Sequence, residues 1–354
     1  MNKIYSIQIF RGLAALMVLL THSNIMLNRS LFSGVFIIGY VGVDFFFVLS
    51  GFIIMLTCKK NIGSGRISDY IRKRLTRVYP PYIIYTVITI AVSYVYIVTT
   101  GKGIVTWIDI NIPNFIQSIS LYPLSKDITP PPIIPPAWTL TYEMLFYILF
   151  TSLFFIKKKS GVILISLAWI ILIAISKNFN ISNGNYLLET FLSLRNFEFI
   201  MGCALAYFVG HHVNWKISAV IFLGGIALLI ASWHNALNGI SVTTLSNWAT
   251  FGIPFAMIIF GATRLESFVH KKEGKIFRFF VYLGDASYSI YLVHFIVIMI
   301  CKRTILDHGM TIGYVEFWVT SGIALIVSLA MYELIEKPLM QLLNRSKARA
   351  VTTA

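Results

Sequence analysis

YSIQIFRGLAALMVLLTHSNIM, residues 5–26, is an apolar stretch that contains two residues foreign to lipid, Arg11 and His22. A helix needs roughly 17 to 25 mostly apolar residues to cross a bilayer, and this stretch is long enough. Similar stretches follow at 35–57, 79–99, 138–156, 160–176, 189–209, 217–233, 246–262, 280–300 and 311–334. We therefore predict an all-α, polytopic integral membrane protein of about ten transmembrane helices.

The amino-acid composition excludes a soluble protein. Of the 354 residues, 57% are hydrophobic and 12% are charged, whereas soluble domains carry about 25% charged residues. The three cysteines, Cys58, Cys203 and Cys301, have neither the spacing of metal ligands nor that of a disulfide framework. We expect no metal site and no structural disulfide.

The distribution of positive charge predicts the orientation in the membrane. The formal net charge is +15, but Lys and Arg lie in short clusters between the apolar stretches, a pattern that encodes topology and does not indicate nucleic-acid binding. If both termini are cytoplasmic, 21 of the 29 basic residues lie on the cytoplasmic side and six lie in the opposite loops. We predict cytoplasmic termini, a transmembrane domain at 1–335 and a short basic cytoplasmic tail at 336–354.

Arg11 and His22 indicate a buried functional site in the first span. An ionisable group near the bilayer centre costs roughly 2.5 to 3.5 kcal/mol, so such groups usually face the protein interior and serve a function. Their spacing is close to three helical turns, which places both side chains on one face, about 16 Å apart along the axis. The alternative is an Arg that extends to the headgroups and a His at the interface.

Other polar residues of the predicted spans can face the same interior. They are Trp138, Thr139, Tyr142, Glu143, Arg195, Glu198, Ser287, Tyr291 and His294. Thr139 and Glu143 are one turn apart on one face, and Arg195 and Glu198 are spaced for a local ion pair. In the span at 280–300, Ser287, Tyr291 and His294 fall on one stripe of the helix. His294 either contacts a substrate or joins helices through a hydrogen bond.

The basic segment RISDYIRKRLTRVY, residues 66–79, lies on the predicted cytoplasmic side. Such a run is usually an anchor to anionic headgroups, each basic residue adding about 1 kcal/mol. Alternatively, Arg74 and Arg77 project from one helical face and bind phosphate groups through paired hydrogen bonds.

The proline-rich segment PPPIIPP, residues 130–136, lies on the opposite side. Proline has no backbone donor, so this segment cannot be a helix in lipid and is expected to lie over the bundle mouth or dip into it. It is either a substrate lid or a stiff loop.

Six motifs, in this order, resemble those of the membrane-bound acyltransferase family 3. They are FRGLAALMVLLTH (Phe10–His22), VGVDFFFVLSGF (Val41–Phe52), RKRLTRVYPPY (Arg72–Tyr82), WTLTYEMLFY (Trp138–Tyr147), GDASYSIYLVHF (Gly284–Phe295) and IEKP (Ile335–Pro338). The opening at 7–18 looks most like that of bacterial enzymes that O-acetylate exopolysaccharide or O-antigen sugars. The string WTLTYE departs from the commoner Trp-Ser-Leu-Ser-x-Glu. We expect no SGNH hydrolase-like domain, so that the membrane domain acts alone or with a partner.

The resemblance implies an activity. It implies an acyltransferase, of the class that transfers groups other than amino-acyl groups, in the bacterial inner membrane. The acyl group, by default acetyl, would pass from cytoplasmic acetyl-CoA to a hydroxyl of a cell-surface polysaccharide or its lipid-linked precursor. The expected partners are acyl-CoA, this acceptor and membrane lipids, with no nucleic acid and no metal.

The resemblance also assigns roles to residues. The family's Arg and His of the first motif fall on Arg11 and His22, and its Arg-x-x-Arg motif falls on Arg74 and Arg77. We expect the three arginines to bind coenzyme A phosphates, and His22 to act as general base or to carry the acyl group transiently. Glu143 is expected to orient His22 or share its proton. The expected substrate-binding residues are Trp138, Tyr142 and His294.

A transporter or flippase for a glycan or a lipid-linked sugar is the alternative function. Many spans, internal charges and a covered mouth suit such a protein equally well. The two functions differ in chemistry, because only an acyltransferase releases a free thiol from acyl-CoA.

Overall fold

The computed structural model describes residues 3–59, 62, 64, 67–105, 111–122, 132–156, 159–179, 185–208, 213–238, 248–266 and 274–352. The α-helices in these residues are α1 (Tyr5–Leu27), α2 (Gly42–Cys58), α3 (Ile67–Thr100), α4 (Ile112–Ser120), α5 (Trp138–Ser152), α6 (Lys159–Phe179), α7 (Tyr186–Phe191), α8 (Asn196–Phe208), α9 (Trp215–Leu237), α10 (Ile253–Arg264), α11 (Lys275–Asp285), α12 (Ser287–Asp307), α13 (Tyr314–Met331) and α14 (Lys337–Thr352). Tighter or wider helical turns occur at Leu31–Val41, Pro135–Ala137, Leu153–Phe155, Trp248–Gly252 and Tyr332–Glu336.

The described chain is an all-α polytopic membrane protein. Seven helical stretches within it are long and apolar enough to cross a membrane, namely Tyr5–Leu27, Leu31–Cys58, Ile67–Thr100, Pro135–Phe155, Trp215–Leu237, Ser287–Asp307 and Tyr314–Asn344. They coincide with seven of the predicted spans. The remaining predicted spans contain a shorter apolar helix, Ile163–Ser176, or helices with interruptions. That the chain has ten spans and that both termini are cytoplasmic stay predictions. The predicted tail is helical as far as Thr352.

Helix α1 lies at the centre of the packing. It contacts the segment Leu31–Val41 and helices α2, α10, α11, α12 and α13. Its contact with α11 brings backbone against backbone: a Cβ atom added at Gly284 would lie 1.9 Å from the carbonyl oxygen of Gln8, and one added at Gly12 would lie 2.8 Å from the Cβ of Leu283. These two glycines let α11 cross α1 at a separation that a larger residue would not allow.

Helices α2 and α8 are packed equally closely. A Cβ atom added at Gly51 would lie 2.1 Å from the carbonyl oxygen of Phe199, and one added at Gly202 would lie 1.9 Å from that of Val48. The thiol of Cys203 donates a hydrogen bond to the carbonyl oxygen of Gly51 at 3.4 Å. Small residues of this kind let transmembrane helices approach each other, and here they serve packing within one chain.

Replacing Gly202 by Leu is expected to destabilise the protein strongly. The new side chain would meet the backbone of Val48, which cannot move away as a flexible side chain would. Overpacking costs about 1–3 kcal/mol and occasionally more, and a backbone neighbour favours the upper end of this range. The thermal unfolding midpoint in detergent, followed by gel filtration after heating, should fall by roughly 5 °C or more.

Gly322→Leu in α13 is the matched control. A Cβ atom added at Gly322 would have no neighbour within 4 Å, so this variant should retain the wild-type midpoint. Equal midpoints for the two variants would contradict the close approach of α2 and α8.

The proline-rich segment dips into the bundle where the structure describes it. Pro130 and Pro131 lie outside the described residues, whereas Ile133 and Ile134 are 1% and 2% exposed. The amide of Ile133 donates to the hydroxyl of Ser118 at 3.0 Å, which ties the segment to α4. Of the two predicted positions, over the bundle mouth or inserted into it, the described residues take the second. A role of the segment as a substrate lid stays a prediction.

Candidate functional site

A cavity opens between α1, α2, α3, α5 and α12 on the predicted cytoplasmic side. The space in it that is free of protein atoms, mouth included, is about 870 Å³. Its lining residues are Arg11, Val43, Phe46, Phe47, Leu49, Ser50, Ile53, Ile54, Arg74, Arg77, Val78, Thr139, Leu140, Glu143, Tyr147, Ser287, Tyr288 and Tyr291. The charged residues of the wall are three arginines and one glutamate, so the wall carries a net positive charge and attracts anions. In the described part of the chain, no group of three or more His, Cys, Asp or Glu residues is placed to hold a metal ion.

Arg74 is held in the wall of the cavity. Its Nη2 donates to the hydroxyl of Thr57 at 2.8 Å, and its guanidinium carbon lies 5.6 Å from the ring centroids of both Tyr70 and Tyr147. These distances are within the range of cation–π attraction. The Nε of Arg74 is buried and has no hydrogen-bond partner among the described residues.

Arg11 and Arg77 are less constrained. The Nη1 of Arg11 donates to the side-chain oxygen of Gln8 at 3.2 Å, one turn earlier in α1. Arg77 is exposed at the cavity mouth, and within the residues that the structure describes it makes no hydrogen bond or salt bridge. The three arginines predicted from the sequence thus line one cavity, and their binding of coenzyme A stays a prediction.

Glu143 lies in this cavity, where the hydroxyl of Tyr147 donates a hydrogen bond to its carboxylate. The ring of His22 makes its hydrogen-bond contacts elsewhere, with Val18 and His294. The role expected for Glu143, to orient His22 or share its proton, is therefore not supported by a hydrogen bond between the two side chains in the described structure. A catalytic role of Glu143 stays a prediction.

Thr139 and Tyr291 lie together in the wall of the cavity. Their hydroxyl oxygens are 2.9 Å apart, and they lie 3.2 Å and 3.0 Å, respectively, from the carbonyl oxygen of Pro136. This cluster joins α5, α12 and the proline-rich segment. Of the stripe predicted in α12, Ser287 and Tyr291 line the cavity.

The third residue of that stripe, His294, lies beyond Tyr291 and pairs with His22. The Nε2 of His294 is 2.9 Å from the Nδ1 of His22, which is also 3.1 Å from the carbonyl oxygen of Val18. The Nδ1 of His294 is 2.7 Å from the carbonyl oxygen of Ile290. His294 is 0% exposed, whereas His22 is partly exposed. Since both ring nitrogens of His294 are engaged, the predicted contact of this residue with a substrate would require one of these hydrogen bonds to break.

Trp138 and Tyr142 pack against Phe47, a residue of the cavity wall. Their ring centroids are 5.8 Å apart, and they lie 6.4 Å and 5.7 Å, respectively, from that of Phe47. Phe47 lines the cavity, whereas Trp138 and Tyr142 do not. Their binding of substrate stays a prediction.

The local ion pair expected between Arg195 and Glu198 is wrong. Helix α8 begins at Asn196, so Arg195 precedes its first turn and does not share a helical face with Glu198. The Nη1 of Arg195 instead pairs with Asp44 at 3.1 Å, and the guanidinium carbon lies 5.1 Å from the ring centroid of Trp138. Glu198 is fully buried. The pair ties α2 to the start of α8.

Several residues in or near the cavity wall have no role predicted from the sequence. Tyr147 follows Glu143 by one turn, so helical spacing was a signal for their hydrogen bond. Glu336 lies in the IEKP motif and accepts a hydrogen bond from Ser289, whose hydroxyl is 2.6 Å from that of Tyr85. Tyr85 and Glu336 are far from Ser289 in sequence, and nothing in the local pattern predicts this cluster.

Nearly the whole chain matches a known protein family. The profile of the family Acyl_transf_3, described as an acyltransferase domain, matches residues 4–333. The chain is similar to the exopolysaccharide production protein ExoZ of Rhizobium meliloti (strain 1021), with 26% identity over 327 residues that cover 90% of this chain and 93% of that protein. It is also similar to the acyltransferase MdmB of Streptomyces mycarofaciens, with 25% identity over 347 residues that cover 90% and 84% of the two chains. No solved structure has significant similarity to it.

Proposed function

Because this chain belongs to the acyltransferase family Acyl_transf_3, it is an acyltransferase, and we propose that it acylates a glycan from within the membrane. The donor is acyl-CoA, with acetyl as the default group, and it enters from the cytoplasm. The acceptor is a hydroxyl of a cell-surface polysaccharide or of its lipid-linked precursor. The protein acts in the bacterial inner membrane as a multi-pass enzyme.

The observation that carries this proposal is the basic cavity that ends beside the histidine pair. Arg77 stands at the mouth, and Tyr291 lines the opposite end, with its ring centroid 6.3 Å from that of His294. Coenzyme A combines phosphate groups with a long, narrow pantetheine arm, and the cavity offers cations at one end and a mostly apolar wall beyond them. Helix rise separates Arg11 from His22 by about 16 Å along α1, a distance that suits the arm.

The acceptor class is proposed from the relatives. ExoZ is named for exopolysaccharide production. The sequence motifs of α1 look most like those of enzymes that O-acetylate such polymers. A sugar polymer lies on the side opposite the donor, which is the side toward which His22 lies in α1.

The chemistry proposed at His22 is general base catalysis. The acceptor hydroxyl oxygen attacks the thioester carbonyl carbon as its proton passes to His22, and a new C–O bond forms. The C–S bond of the tetrahedral intermediate then breaks, and the leaving thiolate takes the proton back from the imidazolium. In the variant route, the imidazole nitrogen attacks the thioester carbon first, the C–S bond breaks and the coenzyme A thiolate leaves. The sugar hydroxyl oxygen then attacks the acyl-imidazole, the C–N bond breaks, and the hydroxyl proton passes to the thiolate.

Acyl transfer by the purified protein in nanodiscs is the direct test. With labelled acetyl-CoA and de-O-acetylated polysaccharide, we expect label in the polysaccharide and an equal amount of free thiol. In strains with and without the gene, mass spectrometry of the surface polysaccharide should differ by one acetyl group per modified repeat. A transporter or flippase would release no thiol. Its loss would change the amount or location of the glycan and leave the acylation of each repeat unchanged.

A further inference from the structure

We propose that His294 is a positioning residue that sets the tautomer of His22. In the tautomer that it selects, Nδ1 of His22 carries the proton and Nε2 presents a free lone pair to the reacting groups. This inference rests on the proposed function in one respect, because it assumes that His22 is the base or nucleophile. The tautomer itself follows from the hydrogen-bond geometry.

The proton on His294 is assigned by its backbone contact. Its Nδ1 is 2.7 Å from the carbonyl oxygen of Ile290, and a carbonyl oxygen only accepts hydrogen bonds. The Nδ1 of His294 must therefore carry a proton. In a neutral imidazole, the other nitrogen is then an acceptor, so the Nε2 of His294 offers a lone pair to whatever faces it.

The group that faces it is the Nδ1 of His22, at 2.9 Å. This nitrogen is also 3.1 Å from the carbonyl oxygen of Val18. Both neighbours of the Nδ1 of His22 are acceptors, so it must be the donor, and one N–H group is shared between them. With Nδ1 unprotonated, its lone pair would instead face the lone pairs of the Val18 carbonyl oxygen.

The consequence concerns the second nitrogen of His22. A neutral ring with a proton on Nδ1 has none on Nε2, so Nε2 is the atom that can take a proton or attack a carbonyl. His22 is partly exposed, whereas His294 is fully buried, so the reactive atom belongs to the accessible member of the pair. When Nε2 of His22 takes up a proton, the imidazolium keeps its Nδ1–H···Nε2 bond to His294. A third group that orients a catalytic base in this way is a recurring arrangement in enzymes.

Two substitutions separate the two hydrogen bonds of His294. In His294→Gln, the side-chain oxygen falls near the former Nε2 and can still accept from His22. In His294→Asn, the shorter amide reaches only the position of Nδ1, so the contact with Ile290 can persist and that with His22 is lost. Loss of the partner that orients a metal-binding His costs roughly 10–100-fold in affinity or activity, and we expect a loss on this scale at His22. We expect kcat to fall about 100-fold in His294→Asn and less than about 10-fold in His294→Gln, with the KM for acetyl-CoA unchanged in both.

His308→Asn is the matched control. His308 is exposed at the end of α12, and its Nδ1 contacts a carbonyl oxygen one turn earlier, that of Thr304, at 2.8 Å. It therefore repeats the backbone contact of His294 without a histidine partner. The control should retain wild-type kcat. Equal kcat values for His294→Asn and His294→Gln would overturn the proposal, because a purely structural role does not distinguish the acceptor at Nε2.

A readout independent of activity is the ¹⁵N spectrum of histidine-labelled protein in nanodiscs, with the His22 signals identified by their loss in His22→Ala. We expect a protonated Nδ1 and an unprotonated Nε2 on His22 in the wild type, and a shift toward a protonated Nε2 in His294→Asn. A wild-type His22 protonated on Nε2 overturns the proposal even if the enzyme acylates its acceptor. If the expected tautomer is found but acyl transfer is absent with every donor, the proposed function fails and the assignment of the tautomer stands.

Discussion

His22→Ala is expected to lower kcat for acyl transfer by about 1,000-fold, because a positioned general base contributes roughly 100- to 10,000-fold to such a reaction. The affinity for coenzyme A should remain within about threefold of the wild-type value. His22 is not among the residues that line the basic cavity, so its removal leaves the proposed phosphate contacts in place. The measurements are steady-state kinetics with labelled acetyl-CoA and equilibrium binding of coenzyme A.

The control for this variant is His234→Ala. His234 lies near the end of α9, and its Nε2 contacts the side chain of Asn238 at 2.9 Å, in an exposed position. It should retain full activity. If His22→Ala keeps more than a tenth of the wild-type kcat and folds normally by gel filtration, His22 is neither the base nor the acyl carrier.

Arg77→Gln is expected to raise the KM for acetyl-CoA by roughly 10- to 100-fold and to change kcat by less than about threefold. A hydrogen bond to a charged group contributes about 1.5–3 kcal/mol, and each 1.4 kcal/mol is a factor of ten in affinity. Arg77 lines the cavity and has no partner among the described residues, so its loss breaks no hydrogen bond within the described protein. Its contribution should also shrink at high salt, because its side chain is exposed.

Arg72→Gln is the matched control, since it removes the same charge from the same helix. Arg72 is exposed, pairs with Asp69 at 3.3 Å and does not line the cavity. Its KM should stay close to the wild-type value. A second donor, S-acetylpantetheine, carries no phosphate, and with it Arg77→Gln should behave as the wild type. Equal KM increases for Arg72→Gln and Arg77→Gln would show that only net surface charge matters, contrary to a phosphate contact in the cavity.

The sequence predicted those parts of the site that depend on local spacing. Arg74 and Arg77 were placed on one helical face by their separation, and both line the cavity. Arg11 and His22 were singled out because charge is costly in a bilayer. The helical character and most of the span positions followed from the lengths of the apolar stretches. Each of these inferences uses interactions between residues close together in the chain or with the lipid.

Contacts between distant residues were not predictable in the same way. His22 and His294 are 272 positions apart, and Arg195 and Asp44 are 151 positions apart. Helical periodicity gives the direction in which a side chain points but not the helix that it faces, so the expected partners were the wrong ones in the case of Arg195. The shared stripe of Ser287, Tyr291 and His294 was inferred without knowing that only its first two members reach the cavity.

The hydroxyl groups of Thr139 and Tyr291, gathered on the carbonyl oxygen of Pro136, have a consequence for the cell as a whole. An enzyme that meets its donor in one compartment and its acceptor in another faces a hazard unknown to soluble transferases. A continuous file of water through its centre would let ions run down the gradients that drive the cell's transport and ATP synthesis. If the proposed function holds, the hydrogen bonds that join α5, α12 and the proline-rich segment at this point would oppose such a file of water while the two substrates react in a membrane that stays energised.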